Sequence, residues 1–359
     1  MRRRSFLGLA SAAGLSAAWK APAFAAADKV TVGYVHAVAV DGQLSLASSL
    51  ELWKSQNLDM RFVKFQNGIE AFRAMAIGSL DVLVTGAVIS HYPATGQGKV
   101  FLINDIEYAT AQLWCHPDMG IGKIADLRGR KVATTTGTTA HIFLDTALRK
   151  NGINPKDVLI INERMGDAVD SFISRAVPAI ALWIPHNNRV KEGAPTARRL
   201  ADASAYFPDD AIVNGWVARN AFHDTRKDVL TRIIHAWADA NDFMVTQPDQ
   251  AVALLHERHY SAVPVAELRE ELNAEKVFLS REWRGMYLDG TVVNWLQQGH
   301  EFLRVILGDP EARAGCKIFR QFDLRRCCWC VMAAAPGRQG SSSATQTRLK
   351  RGLDESDGA

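Results

Sequence analysis

The chain has 359 residues, 48% apolar and 22% charged, a globular composition that excludes a disordered or fibrous protein. Its formal charge of +4 suggests a basic protein, but the charge sits at the ends. Residues 1–25 carry four basic residues and no acid, and 309–359 carry nine basic against six acidic. The body, 26–308, holds 29 basic against 32 acidic residues, a net −3, which argues against a nucleic-acid-binding surface.

The N-terminus reads as an export signal over residues 1–25. Three arginines precede a short apolar stretch from Phe6 to Ala18, and Ala23-Phe24-Ala25 forms an A-x-A cleavage site. Arg3-Arg4-Ser5-Phe6-Leu7 matches the twin-arginine pattern R-R-x-F-L, so export by that route is expected. The stretch is shorter than the roughly 20 apolar residues of a membrane span, and no later segment reaches that length. No cysteine lies near the cleavage site to carry a lipid.

The body alternates strands and helices. Lys29–Val35 predicts a strand, followed by a loop through Asp41-Gly42 and a helix from about Leu44 to Lys54. Asp59–Phe65 predicts a strand, Gly68–Ile77 a helix, and Val82–Val84 and Lys99–Asn104 two further strands. This rhythm implies a mostly parallel sheet covered by helices on both faces. A second unit begins after Ala109–Trp114. It predicts a helical turn at Ile124–Leu127, a strand at Lys131–Ala133 and a helix from His141 to Lys150 that ends on Asn151-Gly152. A strand at Asp157–Ile161, a helix at Asp167–Ser174, a strand at Ala179–Trp183 and extended chain at Ala211–Val217 follow. From Asn220 to Gly308 the pattern is helical, with Val229, Ile233, Ala236, Trp237 and Ala240 on one face and Trp295, Phe302 and Ile306 in later helices. Segments 109–114 and 213–218 are read as paired crossings between two lobes. Lobe 1 is expected over 28–110 and 216–308, and lobe 2 over 111–215.

After Gly308 the character changes. Four of the five cysteines (Cys316, Cys327, Cys328, Cys330) lie in 309–359, beside Ser341-Ser342-Ser343 and a charged end. This segment is read as a non-homologous extension, expected to be disordered. Cys115 is then alone in the body, so no disulfide framework is expected. The Cys327-Cys328-Trp329-Cys330 cluster falls short of the four placed ligands of a closed metal site, and no cofactor is expected.

Four segments together resemble a known family. They are Val63-Lys64-Phe65 through Gly78-Ser79-Leu80-Asp81; Ile124-Ala125-Asp126-Leu127-Arg128-Gly129-Arg130-Lys131-Val132-Ala133; Thr136-Gly137-Thr138-Thr139-Ala140-His141 with Leu144, Leu148 and Gly152; and Leu182-Trp183-Ile184-Pro185. In order and spacing, over about 28–245, the chain resembles periplasmic solute-binding proteins of the taurine, alkanesulfonate and nitrate type, which feed ABC importers. The resemblance implies an α/β, two-lobed periplasmic binding protein fold (type II), with the ligand cleft between the lobes. It also implies no enzymatic activity, a small anionic solute (an organosulfonate such as taurine or an alkanesulfonate foremost, with nitrate or an aromatic or carboxylate solute as alternatives), a permease partner in the inner membrane and a monomer.

The candidate site follows from those loops. Gly137-Thr138-Thr139-Ala140 precedes the helix near His141, and a helix N-terminus offers unpaired N–H groups and partial positive charge to an anion. Thr138 or Thr139 also suits an N-cap. Gly86-Ala87-Val88-Ile89-Ser90-His91 resembles the family's first-lobe ligand loop but carries Ala87 and Val88 where hydroxyl residues are usual, leaving Ser90 or His91 as polar candidates. Trp183 suits either an apolar wall of the cleft or a core position. Asn214 stands where the family's taurine-binding members have an acid that can pair with the substrate amine. That partner is lost here, and Asp41 in the first loop is the candidate replacement.

Enzymatic signatures are weak. His256-Glu257-Arg258-His259 is one residue short of H-E-x-x-H, and no nucleophile elbow, P-loop or dinucleotide fingerprint is present. Thiamine-pyrimidine synthases share the implied fold and carry a Cys-rich iron motif, which makes them the one enzymatic alternative; iron content would separate the two.

Overall fold

The computed structural model describes residues 26–307 apart from 92, 94 and 95, with side chains as far as His300. The export signal and the Cys-rich tail lie outside the described residues. Two five-stranded sheets organise the rest. In the first, β1 (Asp28–Val35) pairs in parallel with β2 (Leu58–Phe65) and β3 (Val82–Thr85), while β10 (Val213–Ala218) runs antiparallel between β3 and β4 (Lys99–Ile106). In the second, β6 (Lys131–Thr134) pairs in parallel with β7 (Leu159–Asn162) and β8 (Ala179–Trp183). There β5 (Ala111–Cys115) runs antiparallel to β8 and to the edge strand β9 (Arg198–Asp202).

The helices follow the strands. α1 (Val38–Ser49), α2 (Leu52–Ser55) and α3 (Gly68–Ala76) cover the first sheet, and α4 (Thr139–Lys150), α5 (Met165–Ile173) and α6 (His186–Gly193) the second. α7 (Asn220–Thr225), α8 (Lys227–Thr246), α9 (Pro248–Arg258), α10 (Val265–Asn273), α11 (Ser280–Leu288) and α12 (Thr291–Leu307) complete the chain. Each sheet has its own hydrophobic core. One contains Leu46, Phe72, Leu83, Trp216 and Trp237; the other Phe143, Leu148, Phe172 and Ile180. Two separate cores allow each unit to move as a body.

The structure differs from the sequence reading at the joints. The first helix starts at Val38, not Leu44, so Asp41 and Gly42 are helical and buried. Burial against the first sheet overrides the turn preference of Asp-Gly. Segments 109–114 and 213–218 are not the crossings. β5 and β10 are inner strands of the two sheets, and an expected boundary at 215/216 falls within β10. The chain passes between the units at 107–110 and 203–212, where Glu107 N donates to Ile212 O at 2.8 Å. These two antiparallel strands make both sheets mixed rather than parallel. α6 and β9 carry polar, charged sequence without a clear period and were not legible.

Lys276 anchors the crossings. Its backbone pairs with Ile106 at 3.0 and 3.1 Å, and its ammonium lies over the rings of Tyr108 on one crossing and Phe207 on the other. On the outside, Asn188 and Lys191 of α6 reach Glu267 and Glu270 of α10, at 2.6 and 2.8 Å, linking the two units directly.

Candidate functional site

A narrow cleft, open to solvent, lies between the sheets. Its wall is built where strands end. β1 ends at Val35 and leads through Ala37 into α1. β2 ends at Phe65 and leads through Asn67 into α3. β6 leads through Thr138 into α4, and β8 ends at Trp183. Ligands of open α/β sheets lie at such carboxyl strand ends. The first turns of α1, α3 and α4 therefore face one space, and first-turn N–H groups have no partner within their own helix. Among the described residues lining the cleft no side chain is basic.

The loop before α4 is shaped by its own hydrogen bonds. Gly137 has φ +80°, a left-handed turn that costs glycine nothing. Its N–H donates to Nδ1 of His141 at 3.1 Å. Burial pushes the His141 pKa down to about 4, so the ring is a neutral acceptor that braces the loop and brings no positive charge to it. The Thr138 hydroxyl donates to Thr135 O at 2.7 Å rather than capping the helix. Thr139 Oγ1 accepts from Ala87 N at 3.3 Å and donates to Glu107 Oε1 at 3.3 Å, bridging the two units across the cleft.

Of the residues singled out from sequence, Thr138, Thr139 and Trp183 line this cleft. Asn214 stands just behind it, fully buried at the start of β10. Gly137 and His141 shape the loop. Ser90 and His91 are turned away from the cleft. Ser90 Oγ donates to Ala87 O at 2.6 Å, and Ser90 lines a second, small pocket with Ile142, Trp295 and Gly299, while the His91 ring stacks on His300. The short helical turn after Gly86 presents Ala87 and Val88, not Ser90, to the cleft. Asp41 is fully buried, with one oxygen accepting from Tyr260 and the other 2.6 Å from His36 Nδ1. Both oxygens are engaged inside the first unit, and Asp41 does not line the cleft.

Sequence reasoning missed Glu107. It follows β4 on the first crossing, is buried, and lines the cleft. Its Oε2 accepts from Thr110, and its Oε1 from Thr139. Burial raises its pKa, offset in part by the Thr110 and Thr139 hydroxyls and the Asn214 amide. The available signal was an acid pair, Asp105 and Glu107, closing an apolar strand.

Behind Glu107 lies a line of buried acids. Burial first, then the neighbouring carboxylates, raises Asp105 and Glu275 well above the usual range. Glu271, on α10, is raised to about 7 by burial and by Glu267, Glu270 and Asp41. An acid raised in the folded state binds more protons folded than unfolded, so stability falls as pH rises between 4.5 and about 7. A Glu271→Gln chain is expected to equal the parent at pH 4.5 and exceed it by up to about 3 kcal/mol at pH 8. Urea unfolding midpoints at the two pH values check this; an equal parent–variant difference at both would contradict it.

Among the described residues no group of three or more His, Cys, Asp or Glu is placed to hold a metal, and no helix is long and apolar enough to cross a membrane. His256 lies in α9 and His259 just beyond its end, as ordinary helix-terminal residues.

A family model described as NMT1/THI5 like matches residues 41–251. A protein of Brucella abortus named only as a binding protein is 30% identical over 298 residues, covering 82% of this chain and 90% of that one. Among solved structures, the periplasmic aliphatic sulphonate binding protein SsuA of Escherichia coli superposes with a TM-score of 0.64 at 20% identity, covering 82% of this chain and 91% of its own. The alkanesulfonate-binding protein SsuA of Xanthomonas axonopodis pv. citri, bound to MOPS, gives 0.60 at 18%, covering 76% and 96%. With two mixed sheets, separate cores and a cleft at the strand ends, the chain has the two-lobed periplasmic binding protein fold and belongs to the NMT1/THI5-like family.

Proposed function

We propose that the chain is the periplasmic solute-binding component of an ABC importer and that it captures a small solute with an acidic head, an organosulfonate foremost, without altering it chemically. The observation that carries this reading is the meeting of three helix N-termini, those of α1, α3 and α4, in one inter-lobe cleft free of basic side chains. Unpaired N–H groups and aligned peptide dipoles suit a sulfonate or carboxylate without a fixed counter-charge. Thr138 and Thr139 add hydroxyl groups, and Trp183 an apolar wall for the rest of the solute. The names of the Escherichia coli and Xanthomonas neighbours, both sulfonate-binding proteins, support the substrate class.

The lobes, taken as 28–106 with 213–307 and 111–202, close on the solute by bending at 107–110 and 203–212. The closed form, a monomer, docks on the permease. Delivery by the twin-arginine route, with cleavage after Ala25, places it in the periplasm.

A solute bound only by the folded protein raises the melting temperature by mass action, adding about 2.7 kcal/mol at a hundredfold excess over Kd. Thermal melts of the full chain against alkanesulfonates, taurine, carboxylates, nitrate and amino acids are expected to show a rise with at least one acidic class. No shift with any of them would overturn the reading.

A further inference from the structure

The crossings meet at a face that carries three carboxyl groups. Ile106 and Lys276 exchange both backbone hydrogen bonds, at 3.0 and 3.1 Å, in an antiparallel bridge. One step along that bridge Glu107 stands opposite Glu275, and by strand alternation Asp105 shares their face. Asn214 of β10 is the cross-strand neighbour of Asp105. All four side chains are buried. Both oxygens of Asp105, both of Glu275 and Oδ1 of Asn214 find no hydrogen-bond donor among the described residues, and the Asn214 amide nitrogen turns to Ala39 O at 2.9 Å. Among the described residues no basic side chain pairs with these acids. The Lys276 ammonium lies over the rings of Tyr108, Phe207 and Phe278, and Lys191 is engaged by Glu270. The other ionisable groups nearby, Asp41, Tyr260 and Glu271, with Glu267 and Glu270 further along α10, bring no positive charge, and His36 is held on Asp41.

Carboxylates directly opposite one another repel, and unpaired acceptors sealed from water are costly. A proton resolves both, because a carboxylic acid donates one hydrogen bond and still accepts at its other oxygen. We propose that Asp105, Glu107 and Glu275 form a proton-sensitive hinge, holding protons among them while the lobes stand as here and releasing them as the lobes part. The three lie where bending is felt. Glu107 is on the first crossing, with its N–H on Ile212 O of the second at 2.8 Å, and Asn214 follows the second crossing by two residues. Glu275 belongs to the segment that pairs with Ile106. Glu107 also touches the other lobe, where its Oε1 accepts from Thr139 at 3.3 Å. Parting the lobes breaks that bond and admits water, which stabilises the charged form of Glu107 and sets it against Glu275. Burial first, then the neighbouring carboxylates, holds Asp105 and Glu275 well above the usual carboxylate range in the arrangement seen. An acid whose pKa is higher in one arrangement favours that arrangement at low pH and ceases to do so as pH rises through the raised value. Acid therefore holds the lobes together and alkali loosens them, whatever solute the cleft takes.

Two measurements on the full chain test this, and neither needs a solute. Infrared spectra in heavy water are expected to show a carboxylic-acid C=O stretch at about pH 7.5, where exposed carboxylates are ionised, and to lose part of it in Glu275→Gln. Glu271→Gln is expected to leave the rest of the band in place. X-ray scattering is expected to show the radius of gyration rising between about pH 5 and about pH 9 in the parent, and rising less in Glu275→Gln, whose amide matches the protonated acid in shape but cannot ionise. Absence of the acid band, or its complete loss in Glu271→Gln, would mean that the three acids are ionised and would overturn the proposal. A radius of gyration that stays constant with pH, or rises equally in parent and variant, would overturn the hinge role. If Glu275→Gln does not fold, Asp105→Asn takes its place, and the pH series of the parent still decides between rise and constancy. Failure of every solute to raise the melting temperature would sink the importer reading and leave this one standing.

Discussion

Asn104→Leu is expected to destabilise the first lobe by about 3–5 kcal/mol, among the largest effects of any single substitution in the chain. Asn104 is 0% exposed, yet its amide is fully used. Oδ1 accepts from the indoles of Trp237 at 2.7 Å and Trp216 at 3.2 Å, and Nδ2 donates to Val40 O at 3.1 Å and Ala39 O at 3.3 Å. One side chain on β4 thereby ties α8, β10 and the first turn of α1. Leucine keeps the volume but strands two buried indole N–H groups, each costing about 1–3 kcal/mol. Urea unfolding followed by far-ultraviolet circular dichroism reads this loss, with Trp216 and Trp237 two of the chain's nine tryptophans. Trp237→Phe should cost less in the Asn104→Leu background than alone, because the N–H it removes is by then already unpaired. Strict additivity of the two changes would show that the amide does not act through the indoles. The same substitution releases Ala39 and Val40, which line the cleft, so ligand affinity should fall with stability.

Gly215→Ala is expected to cost about 3 kcal/mol or more, and to do so without removing any contact. Gly215 lies in β10 beside a bulge in its register with β4. A Cβ there would collide with the carbonyl oxygen of Leu102, a backbone atom of the neighbouring strand, and would press on Ile89 and Ile103 at 3.0 and 3.1 Å. Backbone in a sheet cannot step aside as a flexible side chain can, so β10 and β4 must separate. Gly285 is the control. It is exposed within α11, where an added Cβ meets nothing within 4 Å, so Gly285→Ala should stabilise by roughly 0.5–1 kcal/mol. Opposite signs in denaturant midpoint for the same chemical change would establish that strand spacing at β10 sets the cost. A mild effect at Gly215 would contradict it.

Much of the fold was legible because it rests on local chemistry. Val-rich runs located β1 and β3, and alternation located β2. Asn67 before α3 both caps the helix, accepting from Glu70 N at 3.0 Å, and fits the period of Ala71, Phe72 and Met75 that face the core. Asn151-Gly152 ended α4 where expected, with Gly152 at φ +71°. The predicted apolar face of α8 is buried in full. What failed was non-local. Ala37 to Gly42 lacks an N-cap side-chain bond, and its helix is held by packing that no window of sequence contains. β5 and β10 read as connectors because a strand inside a mixed sheet has the same composition as a buried linker.

The site divides along the same line. The loop Gly137-Thr138-Thr139 and the neighbouring Trp183 could be placed from sequence, since a glycine turn before a helix exposes N–H groups wherever it occurs. Ser90, His91 and Asp41 could not be assigned, because whether a polar side chain faces a cleft or the interior depends on elements far away in the chain. Tyr260, 219 positions from Asp41, takes the oxygen that the sequence alone left free. By itself the sequence determined a two-unit α/β chain with an acidic body and a glycine turn leading into a helix. Only the tertiary structure decided that Asp105, Glu107 and Glu275, from two distant segments, share one buried face at the crossing. Strand register and the crossing of the lobes set that convergence, and neither is a property of any local run of residues.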